Sequence, residues 1–225
     1  NLVLAIHDPS VPGFPAEDPG RGTPYSPAGA EFLAFARELG FTGIQFGPQG
    51  QTSAVNLSPY DGTVFARNVL SISLVHLAEE EPWGALVSRS TLEEIVRDRP
   101  AGSDRRVANG YVHAAKRRAL REAFEAFQGR WAAARPSPQV QALAARLAAF
   151  RRQHSVWLER DALYEAVAGM HEGAAWMFWP LSGEGALDRD LWDPAPGFEA
   201  ACERRRAELA ARCAQSMDSF TFSQW

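Results

Sequence analysis

The chain has 225 residues, 46% of them hydrophobic and 22% charged, with a formal net charge of −4, the profile of a soluble globular chain with one substantial core or two small ones. Its basic residues are spread through helical stretches, which excludes the dense phosphate-neutralising patch of a nucleic-acid protein. No apolar run approaches the roughly 20 residues of a membrane span, and the first strand follows Asn1 without a methionine or signal peptide, so the chain reads as part of something longer.

Residues 1–80 read as α/β. "NLVLAI" is a short continuous apolar run, the pattern of a strand buried on both faces. A loop rich in Pro and Gly follows. "SPAGAEFLAFARELG" then reads as a helix with Ser26 as N-cap and Pro27 in the first turn. Its apolar side is Phe32, Leu33, Phe35 and Leu39, and Gly40 ends it. "FTGIQFGP" is a second strand, and "NVLSISL" has the period-2 character of a third. Strand, helix, strand at this spacing predicts a βαβ unit.

Residues 81–225 read as helical. "YVHAAKRRALREAFEAFQGRW" places Leu120, Phe124, Phe127 and Trp131 on one face, with Arg121, Glu122 and Glu125 outside it. A long helix over 137–170 starts with Ser137 as cap and Pro138 at the first position. It carries Val140, Leu143, Leu147, Phe150, Trp157 and Tyr164 down one side. A third helix covers roughly 197–222, where Cys202 and Cys213 lie too far apart to bridge. Two unpaired thiols fit a reducing compartment.

Patterns that carry chemistry are sparse. The five histidines show no metal-ligand spacing and the two cysteines form no C-x-x-C. There is no phosphate loop, dinucleotide fingerprint or nucleophile elbow. Glu79, Glu80 and Glu81, and the pair Asp188 and Asp190, sit in polar stretches and read as solvated charge. His7 follows the first strand, where α/β sheets bind ligands, and its other reading is a cap on local backbone. "VNLSPYDG", residues 55–62, sets Tyr60 on a loop in which Pro59 restrains Ser58 and directs the ring. Such a loop makes either a ligand wall or an ordinary turn. The Trp-rich stretch from Trp176 to Trp192 is likewise a ligand platform or the core of the helical part.

Taken in order, seven motifs resemble the N-terminal part of the 4-α-glucanotransferases, the amylomaltase or disproportionating-enzyme family (glycoside hydrolase family 77). "IHDPSVPG", with His7, Ser10 and Pro12, is similar to the family's His-Pro-x-Ser-Leu-Pro loop. "IQFGPQGQT" keeps Gln45, Pro48, Gly50 and Thr52 of its Trp-Gln-x-Leu-Pro-Leu-Gly-Pro-Thr segment. "LSPYDGTVFARNV" keeps Ser58, Pro59, Tyr60, Phe65, Ala66 and Asn68. "KRRALREAFEAF", "WLERDALYEAV", "AAWMFWP" and "FTFSQW" follow in register. Departures are Leu57 for an acid, Ala54 or Val55 for an aromatic, Val69 for a proline, Gly47 for a leucine, and extra residues after His7.

The resemblance implies a fold class: the first two to three strands of a (β/α)8 barrel in residues 1–80, then a mostly α-helical inserted subdomain in 81–225. Such barrels need about 250 residues, so the remaining strands would be partners from the parent protein. It implies a malto-oligosaccharide or glucan substrate, with Ser58, Tyr60, His7 and Asn68 on the substrate side, no cofactor or metal, and a cytoplasmic location. The retaining chemistry needs a carboxylate pair about 5–5.5 Å apart. No residue here matches the family's catalytic carboxylates, so none is assigned in this chain. Two functions stay open: the substrate-binding first part of an α-1,4-glucan glucanotransferase, and a non-catalytic glucan-binding or interaction module derived from that family.

Overall fold

A computed structural model describes residues 1–54, 57–60, 65–103, 106–183 and 185–225, so Val55, Asn56, Asp61 and Gly62 of the "VNLSPYDG" motif lie outside the described residues. The chain forms two compact units, Asn1–Ala148 and Ala149–Trp225. The change expected near residue 80 is one of secondary structure, since both strands precede it.

The first unit is built on a parallel pair, β1 (Val3–Ile6) and β2 (Gly43–Phe46), registered from Val3 opposite Gly43 to Ile6 opposite Phe46. Between them in the chain runs α1 (Pro27–Glu38). Its start follows the sequence: Ser26 Oγ accepts from the Gly29 amide at 3.1 Å, Pro27 occupies the first position, and Gly40 follows the last turn at φ +93°. Two expectations change. β1 is not buried on both faces, because Val3 and Ala5 are exposed while Leu4 and Ile6 are partly covered. On α1 the buried residues are Ala28, Gly29 and Ala36, while Phe35 and Leu39 stand 55% and 58% exposed.

"NVLSISL" is not a strand. Val69–Ser71 is a 3-10 turn leading into α2 (Leu74–Ala78). The physical reason is the fate of its backbone, since buried carbonyls must be paired. Asn68 Oδ1 accepts from the Leu70 amide at 3.0 Å and tightens the turn. The carbonyls of Leu70, Ser71 and Ile72 are then taken by the side chains of Arg21, Thr23 and Lys116. Donors reaching in from distant parts of the chain replace a neighbouring strand.

Helices α3 (Arg89–Arg97) and α4 (Asn109–Trp131) complete this unit with α2. Leu120, Phe124 and Phe127 are buried as expected, but Trp131 is 49% exposed because α4 ends there. The long helix α5 (Pro138–Met170) spans the boundary between units. Val140 and Leu143 are buried as read, but further on the buried apolar residues are Leu158, Ala162, Leu163 and Val167, with Trp157 and Tyr164 only partly covered. Phe150, Trp157 and Tyr164 recur every seven residues, and a straight helix drifts about 20° per heptad, so that stripe rotates off the core.

In the second unit the third expected helix divides at Cys213 into α6 (Glu199–Arg212) and α7 (Ala214–Gln224). Its core gathers Leu163, Val167, Trp179, Leu191 and Leu209.

Candidate functional site

The polar residues singled out from the sequence gather at the carboxyl ends of β1 and β2, where open α/β sheets place ligands. One segment, residues 47–52, organises them. At its start, a Cβ on Gly47 would lie 2.1 Å from His7 Nδ1, so the missing side chain is the room that the exposed His7 ring occupies. In its middle, a Cβ on Gly50 would meet the Pro59 carbonyl oxygen at 2.3 Å, so the Ser-Pro-Tyr loop lies directly on the backbone there. At its end, the Asn68 amide donates to the Gln49 carbonyl at 2.9 Å and Asn68 Nδ2 to Thr52 Oγ1 at 3.2 Å. Gly50 and Arg67 form an antiparallel bridge, and Gln51 Oε1 accepts from the Val69 amide at 3.2 Å.

The four residues differ in how they are used. Tyr60 is 79% exposed, and its amide donates to Ser58 Oγ at 3.4 Å, so Ser58 shapes the turn that presents the ring. His7 is exposed. Asn68 is committed on three sides to backbone and to Thr52, a frame for the loops.

Beneath this rim lies a buried network that the sequence did not announce. Asp8 Oδ2 accepts from Arg21 at 2.7 Å and from Ser71 Oγ at 2.5 Å. Arg21 also donates to the carbonyls of Leu70 (3.1 Å) and Gly22 (3.3 Å). Asp18 accepts from the amides of Gly20 and Arg21 and pairs with Arg99 at 3.2 Å. Lys116, 1% exposed, reaches the Ile72 carbonyl. Burial, and secondarily the charge of Arg21, push its amine down to about 7, with Asp18 opposing. One signal for Lys116 was present: it lies four residues before Leu120, in the buried stripe of α4. Asp8 and Arg21 sit in a Pro- and Gly-rich loop without periodicity and gave none.

The acids behave unequally. Glu79, Glu80 and Glu81 are exposed as read, and so is Asp190. Asp188 is 2% exposed, a correction to its reading as solvated charge. It pairs with Arg205 at 2.8 Å and with His171 Nε2 at 3.0 Å, and the His171 ring stacks on Trp179. In the Trp-rich stretch, Trp179 is core at 3% exposed, while Trp176 is 48% exposed and Phe178 77%. Among the described residues no group of three or more His, Cys, Asp or Glu side chains is placed to hold a metal, and no helix is long and apolar enough to cross a membrane.

A parallel β-α-β unit with a polar rim at its carboxyl end, joined to a helical unit, is a helix-rich α/β protein. A model of the 4-alpha-glucanotransferase family (glycoside hydrolase family 77) matches residues 15–225, and the chain belongs to that family. It is 33% identical over 180 residues to the 4-alpha-glucanotransferase of Thermus thermophilus, covering 79% of this chain and 31% of that protein. Its fold is similar to that of the Streptococcus agalactiae amylomaltase solved in complex with acarbose, with a TM-score of 0.69 at 19% identity over 99% of this chain and 38% of that one. The chain thus spans about a third of the length of these relatives.

Proposed function

We propose that this chain is the N-terminal part of an α-1,4-glucan 4-glucanotransferase: the first strands of a (β/α)8 barrel, whose post-strand loops bind a malto-oligosaccharide, followed by a helical insertion. The observation that carries this reading is the family match over residues 15–225. It is supported by the gathering of His7, the Ser58–Tyr60 loop and Asn68 around residues 47–52. Tyr60 stacks its ring on the C–H face of a glucose unit and bonds a sugar hydroxyl through its own. His7 offers ring nitrogens at the end of β1, against Gly47. Asn68 acts indirectly, holding the loops in register.

The reaction would break an α-1,4 bond, hold the glycosyl unit on a carboxylate and pass it to the 4-hydroxyl of an acceptor, with no cofactor. This chain supplies binding surface, and the carboxylate pair comes from later strands of the parent protein. The open side of the two-stranded sheet and the exposed Phe35 and Leu39 of α1 support such a continuation. The free buried thiols Cys202 and Cys213 fit a reducing, cytoplasmic setting.

Maltotriose decides between binding and catalysis. The 225-residue chain alone is expected to give no glucose or longer maltodextrins above a heat-killed control, while the parent protein gives both. Disproportionation by the isolated chain, or none by the parent, would defeat the proposal.

A further inference from the structure

Lys116 is the bulkiest of the fully buried side chains among the described residues, and its place in the turn at 69–73 is unlike that of its neighbours. Of three successive carbonyls there, Leu70 accepts from a guanidinium already neutralised by Asp8, and Ser71 from the uncharged hydroxyl of Thr23. Ile72 accepts from Lys116. The charged groups that face this amine are Arg21 and Asp18, both on the loop after β1. Each is already matched, Arg21 by Asp8 and Asp18 by Arg99. The turn itself brings only Val, Leu, Ile and Ser side chains. On α4, His113 lies one turn back, and burial, then Arg117, lower its pKa below 6.5. An ammonium at Lys116 would be a fifth charge among two balanced pairs, shut off from water.

We propose that Lys116 is a proton-linked positioning residue: the turn at 69–73 closes over its uncharged amine and opens by taking up one proton. The sign follows from the two forms. The closed amine titrates at about 7 and a solvated one near 10.5. Between these values the open form holds a proton that the closed form lacks, so opening is favoured as pH falls, and the dependence ends below about 7. The turn is therefore held most firmly in alkaline solution. It carries the frame of the rim, because Asn68 begins it and Ser71 ties it to Asp8, next to His7. A consequence for sugar binding rests on the function proposed above, but the proton coupling does not.

Hydrogen exchange in the 225-residue chain tests this directly. The amides of Leu70, Ser71 and Ile72 donate to Asn68 Oδ1, the Asn68 carbonyl and the Val69 carbonyl, so they report opening of the turn. From about pH 7.5 to 9.5, after correction for intrinsic exchange, the opening constant is expected to fall roughly tenfold per pH unit. In Lys116→Met, which keeps the bulk and removes the amine, it is expected to be flat. A second readout needs no variant to fold: the Lys116 Cε and Nζ resonances of the unmodified chain should titrate near 7. Titration of Lys116 near 10.5, the value of a solvated amine, a pH-independent opening in the unmodified chain, or an undiminished slope in folded Lys116→Met would each overturn the proposal.

Discussion

Tyr60 and Asn68 lie on the same side of the parallel pair yet make opposite demands on the fold. The Tyr60 ring is 79% exposed, so removing it takes little packing from the free protein. In the parent protein, Tyr60→Ala is expected to lower kcat/KM about ten- to a hundredfold, the cost of one lost sugar contact, with an unchanged melting temperature. Asn68 both caps the 69–71 turn and bonds Thr52. Asn68→Ala is therefore expected to cost about 0.5–2 kcal/mol of stability in urea denaturation, as for a lost cap. A stability loss at Tyr60 with unchanged transfer kinetics would make the ring a packing residue and remove it from the sugar side.

One 3-10 turn of the second unit is anchored by a buried ion pair. This turn is Ala186–Arg189, and its Asp188 is paired with Arg205 from α6 and His171 just beyond α5. Truncating one member of a buried pair strands the other charge, which costs about 3–5 kcal/mol. Asp188→Ala should therefore destabilise the protein by that order in chemical denaturation. Asp190→Ala, two residues on and exposed, should stay within about 0.5 kcal/mol. Equal effects of the two substitutions would show that the buried pair contributes nothing. A pattern of acids two apart cannot reveal which one turns inward, because the partner sits seventeen residues away on another helix.

Across the whole molecule, the exposed apolar residues include Leu2 and Val3 on or beside β1 and Phe35 and Leu39 on α1, each more than half exposed. An unpaired strand edge beside such a face is adhesive. The 225-residue chain is expected to bind an apolar fluorescent dye under native conditions, and the parent protein to lose that binding as later strands cover the face. Failure of the chain to bind dye would argue that the sheet is complete as it stands.

The sequence by itself determined what depends on neighbours a few residues away. Ser26, Pro27 and Gly40 bounded α1, apolar runs marked both strands, and the order of the seven motifs marked the family, because caps, periodicity and motif order are local or linear properties. Tertiary structure decided whatever depended on partners far along the chain. "NVLSISL" carries a strand's alternation, yet donors from Arg21, Thr23 and Lys116, each more than forty residues distant, took its carbonyls and made it a turn. Shorter separations, 13 residues for Asp8–Arg21 and 17 between Asp188 and each of its partners, hid those contacts as well. A charged side chain is priced by its surroundings, and those are assembled only when the chain has folded.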